Sequence, residues 1–203
     1  MTVEIAAFVA RGAASPFGAL VAAPWDVTQH AEAHVAAAIA CLSTDYVVNG
    51  DVALHRSATV EAGAVVKGPA IIGPLCFVAA GAYLRGGVFL DEACIVGPNA
   101  ELKTSFMFKG AKLAHLNFVG DSILGAGVNI EAGAIVANYR NELEDKAIRI
   151  AWRGGVLETG VEKFGALLGD GTRVGANAVI APGAILERTA RVGRLALVDQ
   201  YPH

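Results

Sequence analysis

An all-β solenoid is the fold class this sequence predicts, and two observations predict it. From Val48 an aliphatic residue recurs every six positions, at Leu54, Val60, Val66, Ile72, Val78, Leu84, Leu90, Val96 and Leu102. The position two before each anchor is mostly small: Ala58, Ala64, Ala70, Cys76, Ala82, Cys94 and Ala100. Six residues make one short strand and one corner, a unit that cannot bury its own apolar face and must stack on its neighbours. The beat returns at Phe118, Leu124, Ile130 and Val136, and again at Leu168, Val174, Ile180, Leu186 and Val192. Glycine often follows the anchor (Gly73, Gly97, Gly125, Gly169, Gly175, Gly193), as expected for a corner that favours positive φ.

The N-terminal extension covers residues 1–47. Its start, MTVEIAAFVARGAASPFGALVAA, superficially resembles a secretory leader, but Glu4 occupies what would be the basic part and Arg11 interrupts the apolar stretch, which argues for a cytoplasmic protein. The stretch PWDVTQHAEAHVAAAIACL then reads as an alanine-rich helix with Pro24 near its start and Asp26 or Thr28 as cap. It is expected to pack on the first coil as a cover. The repeat body runs over 48–192 and is escaped twice. Residues 103–117 leave four residues too many between Leu102 and Phe118, and residues 138–167 are charge-rich, with glycine turns and the β-type residues Ile148, Ile150 and Trp152, which predicts a protruding hairpin. Extra residues in a solenoid bulge from a corner and often carry binding function. The last stretch, 193–203, is too short for another full coil and reads as a tail.

At 203 residues the chain has room for one main body. A net charge of −3 with 17% charged residues points neither to a nucleic-acid partner nor to disorder. The longest apolar run, AHVAAAIACL, is far below the roughly 18 residues a membrane helix needs. Of the three cysteines, Cys76 and Cys94 fall on small repeat positions and read as reduced packing thiols. His30 and His34 are four apart, as on one face of a helix, but lack a third ligand, and no metal is expected; His55 and His203 read as solvent-facing.

The period resembles that of the hexapeptide-repeat left-handed parallel β-helix, whose coil has three sides and eighteen residues; the handedness comes from that resemblance. On such a coil Lys67, Arg85 and Lys103, eighteen residues apart, stack in one column at about 4.8 Å per coil. A solvated basic ridge and an anion site both fit such a column.

A family resemblance joins these pieces. The stretch ELKTSFMFKGAKLAHLNFVGDSILGAGVNIEAGAIVANYRN, residues 101–141, resembles the acetyltransferase domain of the bifunctional glucosamine-1-phosphate acetyltransferase / N-acetylglucosamine-1-phosphate uridylyltransferase. KAIRI and VLETGVEKFGALLGDGTRVGANAVIAPG are closer to the archaeal-type sugar-1-phosphate nucleotidylyltransferase/acetyltransferases, and the nucleotidylyltransferase half is absent from the sequence. The resemblance spans most of 50–192. It implies acetyl-coenzyme A as co-substrate, a homotrimer, and His115 and Asn138 as catalytic residues. Acetyl transfer needs the amine unprotonated, which suits His115 as general base. By the same resemblance Arg85 and Lys103 hold the sugar phosphate, Asn129 and Tyr139 the sugar, and Lys146 and Arg149 keep two further cationic positions. Ala176 and Gly193 line the coenzyme A groove. Phe118 stands where the bacterial family has a tyrosine reaching the phosphate. The chain ends before the arm that supplies an arginine to coenzyme A, for which Arg191 or Arg194 could substitute. The implied activity is acetyl-coenzyme A dependent N-acetylation of an amino-sugar 1-phosphate. The alternatives are acylation of a nucleotide-linked amino sugar and a non-catalytic sugar-phosphate binder that assembles with a separate nucleotidylyltransferase. The three histidine ligands of a γ-type carbonic anhydrase have no counterpart in the repeat.

Overall fold

The computed structural model describes residues 3–12 and 22–202, so part of the leader-like start, 13–21, lies outside the described residues. From Val52 onward the chain winds as a three-sided parallel β-helix. Each strand is only two or three residues long over much of its course, and alternation along it sends one residue inward and the next outward. The inward residues form three aliphatic columns, Leu54 to Leu186 on the first side, Val60 to Val192 on the second and Val66 to Val198 on the third, which fill the interior. Ile72 lies beside Leu90 and Val78 beside Val96, the eighteen-residue step of a regular coil.

The segment 103–117 is not an insertion. The strand Glu101–Met107 runs through its first part, and Lys112–Leu113 is laddered between Ile95–Val96 and Asn129–Ile130. The segment belongs to a complete coil that is one residue short: Leu102 faces Val119, seventeen residues on, so Val119 is the buried anchor and Phe118 points outward. The residue is lost at a corner. Between the third and first sides Gly86 and Gly87 turn one coil, while the coils below turn on Thr104 (φ 50°) and Asp121 (φ 46°) alone.

The glycines after the anchors are also explained differently. None of Gly73, Gly97, Gly125, Gly169 or Gly175 has positive φ; the left-handed residues lie two further on, at Leu75, Asn99, Gly127, Gly171 and Asn177. A Cβ on Gly97 would stand 1.6 Å from the Ala114 carbonyl oxygen, and one on Gly73 2.6 Å from Asp91 O. Glycine is required there because the next coil passes too close.

The N-terminal segment does not cap the first coil. It forms two helices, Pro24–Gln29 and Ala31–Ile39, broken at His30, and neither Asp26 nor Thr28 caps them: Ala23 holds the N-cap place and the Thr28 hydroxyl donates to Trp25 O at 3.1 Å. With the short helix Ile5–Phe8 they lie along the first side. The outward column there is apolar: Ile71, Phe89, Phe106, Ile123, Leu167 and Ile185 stack in register, and all are buried under Ile5, Phe8, Trp25, Val27, Ala31 and Val35.

The second excursion leaves the third side at Asn138, whose carbonyl oxygen accepts the Phe164 N–H at 3.1 Å and closes its neck. Within it Arg149–Trp152 pairs antiparallel with Gly155–Glu158 across Arg153 and Gly154, both at positive φ. The hairpin does not protrude. Ile148, Ile150 and Leu157 are buried in the same outer core, and Phe164 meets Trp25 edge-on at 5.8 Å.

Both ends of the repeat body shift. Val48 lies in a strand, Tyr46–Asn49, that runs antiparallel to Val52–His55, so the coils start after it. At the other end Leu197–Val198 lies beside Val179–Ile180, so the tail begins after Val198. There the Gln200 side chain brackets Ile185, accepting its N–H at 2.6 Å and donating Nε2 to its carbonyl at 3.2 Å. No helix among the described residues is long and apolar enough to cross a membrane.

Candidate functional site

The residues singled out from sequence fall into four places, two of them at opposite edges of the third side. His115 lies at the corner that enters it. That corner is held by Asn117, a buried asparagine whose Nδ2 donates to Glu131 O at 2.7 Å and Ala134 O at 3.1 Å in the next coil. Leu116 turns it at φ 55° and donates its N–H to Pro98 O, while His115 O accepts the Gly133 N–H at 2.9 Å. The imidazole is exposed, and no described residue hydrogen-bonds to it.

At the far edge, Arg85, Lys103 and Gly120 stack in register as strand ends. Each is followed by its corner residue: Gly86, Thr104, Asp121. Asn138 comes one coil below Asp121. Lys103 Nζ donates to Asp121 Oδ2 at 2.7 Å, and Asn138 Nδ2 donates to that same oxygen. The Lys103 and Asp121 side chains are only 17% and 7% exposed. Arg85 donates Nε and Nη2 to Glu101 Oε1 at 2.8 and 2.7 Å, and both Arg85 and Lys67 lie against the Tyr83 ring. The cationic column exists, but Arg85 and Lys103 each carry a carboxylate, so it is not a bare basic ridge. His115 and Asn138 are therefore separated by the width of the side, on the order of 13 Å, with Phe118 between them. Beside Asp121 a cavity of about 710 Å³ opens under the helices, bounded by Gln29, Glu32, Thr104, Gly160 and Lys163.

The third place is the lower second side, where Asn129, Glu131, Arg173, Arg191, Gly193 and Arg194 line a groove of about 210 Å³. Asn129 is thus grouped with the cofactor candidate Gly193 rather than with Asn138. Ala176 joins through its backbone: its N–H donates to Glu131 Oε2 at 2.9 Å, and Arg194 donates to both Glu131 oxygens at 3.0 Å. These bonds, the Ala176 N–H foremost, hold the Glu131 carboxyl below its usual range.

Tyr139, Lys146 and Arg149 stay within the excursion. Lys146 Nζ lies 5.6 Å from the Tyr139 ring and donates to the carbonyls of Asn141 and Leu143. Arg149 pairs with Asp145 and Glu158 and donates to the Tyr201 hydroxyl at 3.3 Å. Sequence reasoning missed Arg140, whose side chain is 3% exposed: it forks onto Asp199 at 3.0 and 2.5 Å, donates to Pro182 O and lies over the Tyr201 ring, tying the excursion to the C-terminal tail. It sits where no repeat offers a phase to read. Asp121 did offer one, standing a coil from both Thr104 and Asn138.

Among the described residues no three His, Cys, Asp or Glu side chains gather as a metal-ligating group. No protein-family model matches the chain. Over 100 residues, 49% of this chain and 24% of the relative, it is 35% identical to a bifunctional sugar-1-phosphate nucleotidylyltransferase/acetyltransferase of Sulfurisphaera tokodaii. Over that stretch the chain is similar to those bifunctional enzymes. It is also 34% identical over 101 residues to the bifunctional protein GlmU of Methanococcus maripaludis, and 37% identical over 92 residues to that of Carboxydothermus hydrogenoformans. The matched stretch spans about a quarter of the length of the two archaeal relatives and 18% of the third. A hexapeptide transferase family protein from Anaplasma phagocytophilum superposes over 75% of this chain and 80% of its own, with a TM-score of 0.40 and 15% identity, too distant to carry an argument.

Proposed function

We propose that the chain transfers an acetyl group from acetyl-coenzyme A to the amine of an amino-sugar 1-phosphate, as a cytoplasmic homotrimer and without a metal. The observation that carries this reading is the 35% identity with an enzyme named as a sugar-1-phosphate nucleotidylyltransferase and acetyltransferase. His115 takes the proton as the amine attacks the thioester carbonyl, backbone N–H groups hold the tetrahedral oxyanion, and the C–S bond breaks to release the thiol, which regains the proton. Arg85 and Lys103 take the acceptor's phosphate, which replaces Glu101 and Asp121 as their partner for part of their hydrogen-bonding capacity. The phosphates of coenzyme A lie in the groove of Arg173, Arg191 and Arg194, with Ala176 and Gly193 beside them. The trimer is supported by the outward column of the third side, where Val65, Ile135, Val179 and Leu197 are 38–67% exposed in register with Tyr83, Glu101 and Phe118.

A second reading draws on two observations: both phosphate cations are already paired, and Phe118 offers no hydroxyl. They favour a nucleotide-linked amino sugar, whose phosphates lack the second charge of a monoester. Coenzyme A release measured against amino-sugar 1-phosphates and nucleotide-linked amino sugars separates the two. Turnover with the monoesters supports the first reading and turnover with the diphosphates alone the second. Inactivity with every acceptor, together with no calorimetric binding of coenzyme A, overturns both.

A further inference from the structure

We propose that Asp121 is a positioning residue of the acetyl-transfer site, which fixes Lys103 and Asn138 on one carboxylate oxygen and screens the lysine from anions until a substrate phosphate arrives. The proposal rests on the function read above for Lys103 and Asn138. Three observations carry it. The first is convergence: Lys103 comes from the coil above and Asn138 from the neck of the excursion, and they share Asp121 Oδ2 and no other partner. The second is rigidity. Asp121 is 5% exposed, donates its N–H to Lys103 O at 2.9 Å and accepts the Gly165 N–H at 2.9 Å, so its backbone is held by the strand before it and by the strand that returns from the excursion. The third is the corner itself. At φ 46° Asp121 takes the place that Thr104 and Gly86 hold in the coils above, so the turn itself does not ask for a carboxylate.

The electrostatics give the proposal its sign. A carboxylate 2.7 Å from Nζ in a site this secluded cancels most of the field that the lysine shows to an incoming anion. Small anions are then poorly bound, whereas a substrate whose amine is held at His115, across the side, has its phosphate delivered to Arg85 and Lys103 at high effective concentration. Asp121 thus lowers the affinity of the lysine for free phosphate while raising the fraction of time that Lys103 and Asn138 stand in working positions. A residue that only stabilised the corner would do neither.

Two variants of the full chain test this. Asp121→Gly removes the side chain at a turn where glycine is already used, so the fold is retained; Asp121→Asn keeps the shape and removes the charge. Crystal structures of Asp121→Gly should show Lys103 Nζ and Asn138 Nδ2 parted from their common point. Isothermal titration with inorganic phosphate should show Asp121→Asn binding about three- to tenfold more tightly than the parent, and Lys103→Met abolishing that gain. With glucosamine 1-phosphate and acetyl-coenzyme A, Asp121→Gly should lose about tenfold or more in kcat through Asn138 and raise the acceptor KM through Lys103, with little further rise in KM when it is added to Lys103→Met. Unmoved Lys103 and Asn138 in the glycine variant, or equal phosphate affinity in parent and Asp121→Asn, overturns the proposal. An inactive parent whose phosphate affinity still rises in Asp121→Asn refutes the acetyl-transfer reading and leaves the screening by Asp121 standing.

Discussion

His115 and Lys103, at the two edges of the proposed site, are prepared differently. Lys103 is enclosed and paired, while His115 stands free at a corner whose geometry is set by the buried amide of Asn117. Replacing His115 by alanine removes no interior contact, so circular dichroism and thermal midpoint should match the parent. Initial-rate coenzyme A release should nevertheless fall by about 10²- to 10⁴-fold, a loss that shrinks at alkaline pH as more of the substrate amine is already deprotonated. Full retained kcat would remove His115 from the mechanism. Charge removal at Arg85 or Lys103 should act on the other substrate: the KM for the acceptor should rise by at least about tenfold while that for acetyl-coenzyme A stays near the parent value. Which residues matter was partly legible. Lys103 and Arg85 stood out because residue type and phase coincide, and His115 stood out through the family resemblance. Asp121 was in phase too, but a carboxylate after a glycine reads as an ordinary surface turn until its two partners are seen. Arg140 and Asp199, which lie 59 residues apart, had no phase at all.

The coil and its corners are the next scale, and here counting in sixes both succeeded and misled. The interior columns follow from the aliphatic period because each side of a coil sends one large residue inward, with a small one such as Ala70 or Cys76 two positions before it. The segment 103–117 was misread because corners vary in length. One left-handed residue, Thr104 or Asp121, does the work of the Gly86–Gly87 pair, so a coil can lose a residue without losing register. The outer layer was legible only in hindsight, since Ile71, Phe89, Phe106 and Ile123 are apolar at positions that would face water in a bare solenoid. Phe106 joins the helical roof to the β-helix and is fully buried. Phe106→Ala should therefore destabilise the protein by about 3–5 kcal/mol in urea denaturation, the range for emptying a phenylalanine site in a packed core. A loss below about 1 kcal/mol would mean that the helices rest on the first side without being needed by it.

For the whole molecule, the three sides have three different surfaces. The first is sealed by helices and hairpin, the second turns cationic toward its lower end at Arg173 and Arg191, and the third presents an exposed column that is apolar but for Glu101. Self-association is therefore expected through the third side. Light scattering at micromolar concentration should find a trimer for the parent and a monomer for the pair Ile135→Glu and Val179→Glu, which places charges in mid-column. A monomeric parent would show that the column serves another purpose. The ends of the solenoid pose a separate hazard, because a terminal coil is an open row of backbone donors and acceptors, ready to template another chain. Gln200 occupies part of that row: its amide supplies Ile185 with the acceptor and the donor that a further coil would have offered. On the first side of the last coil a side chain thereby impersonates a strand, and the backbone groups of Ile185 that would template a neighbour are already taken.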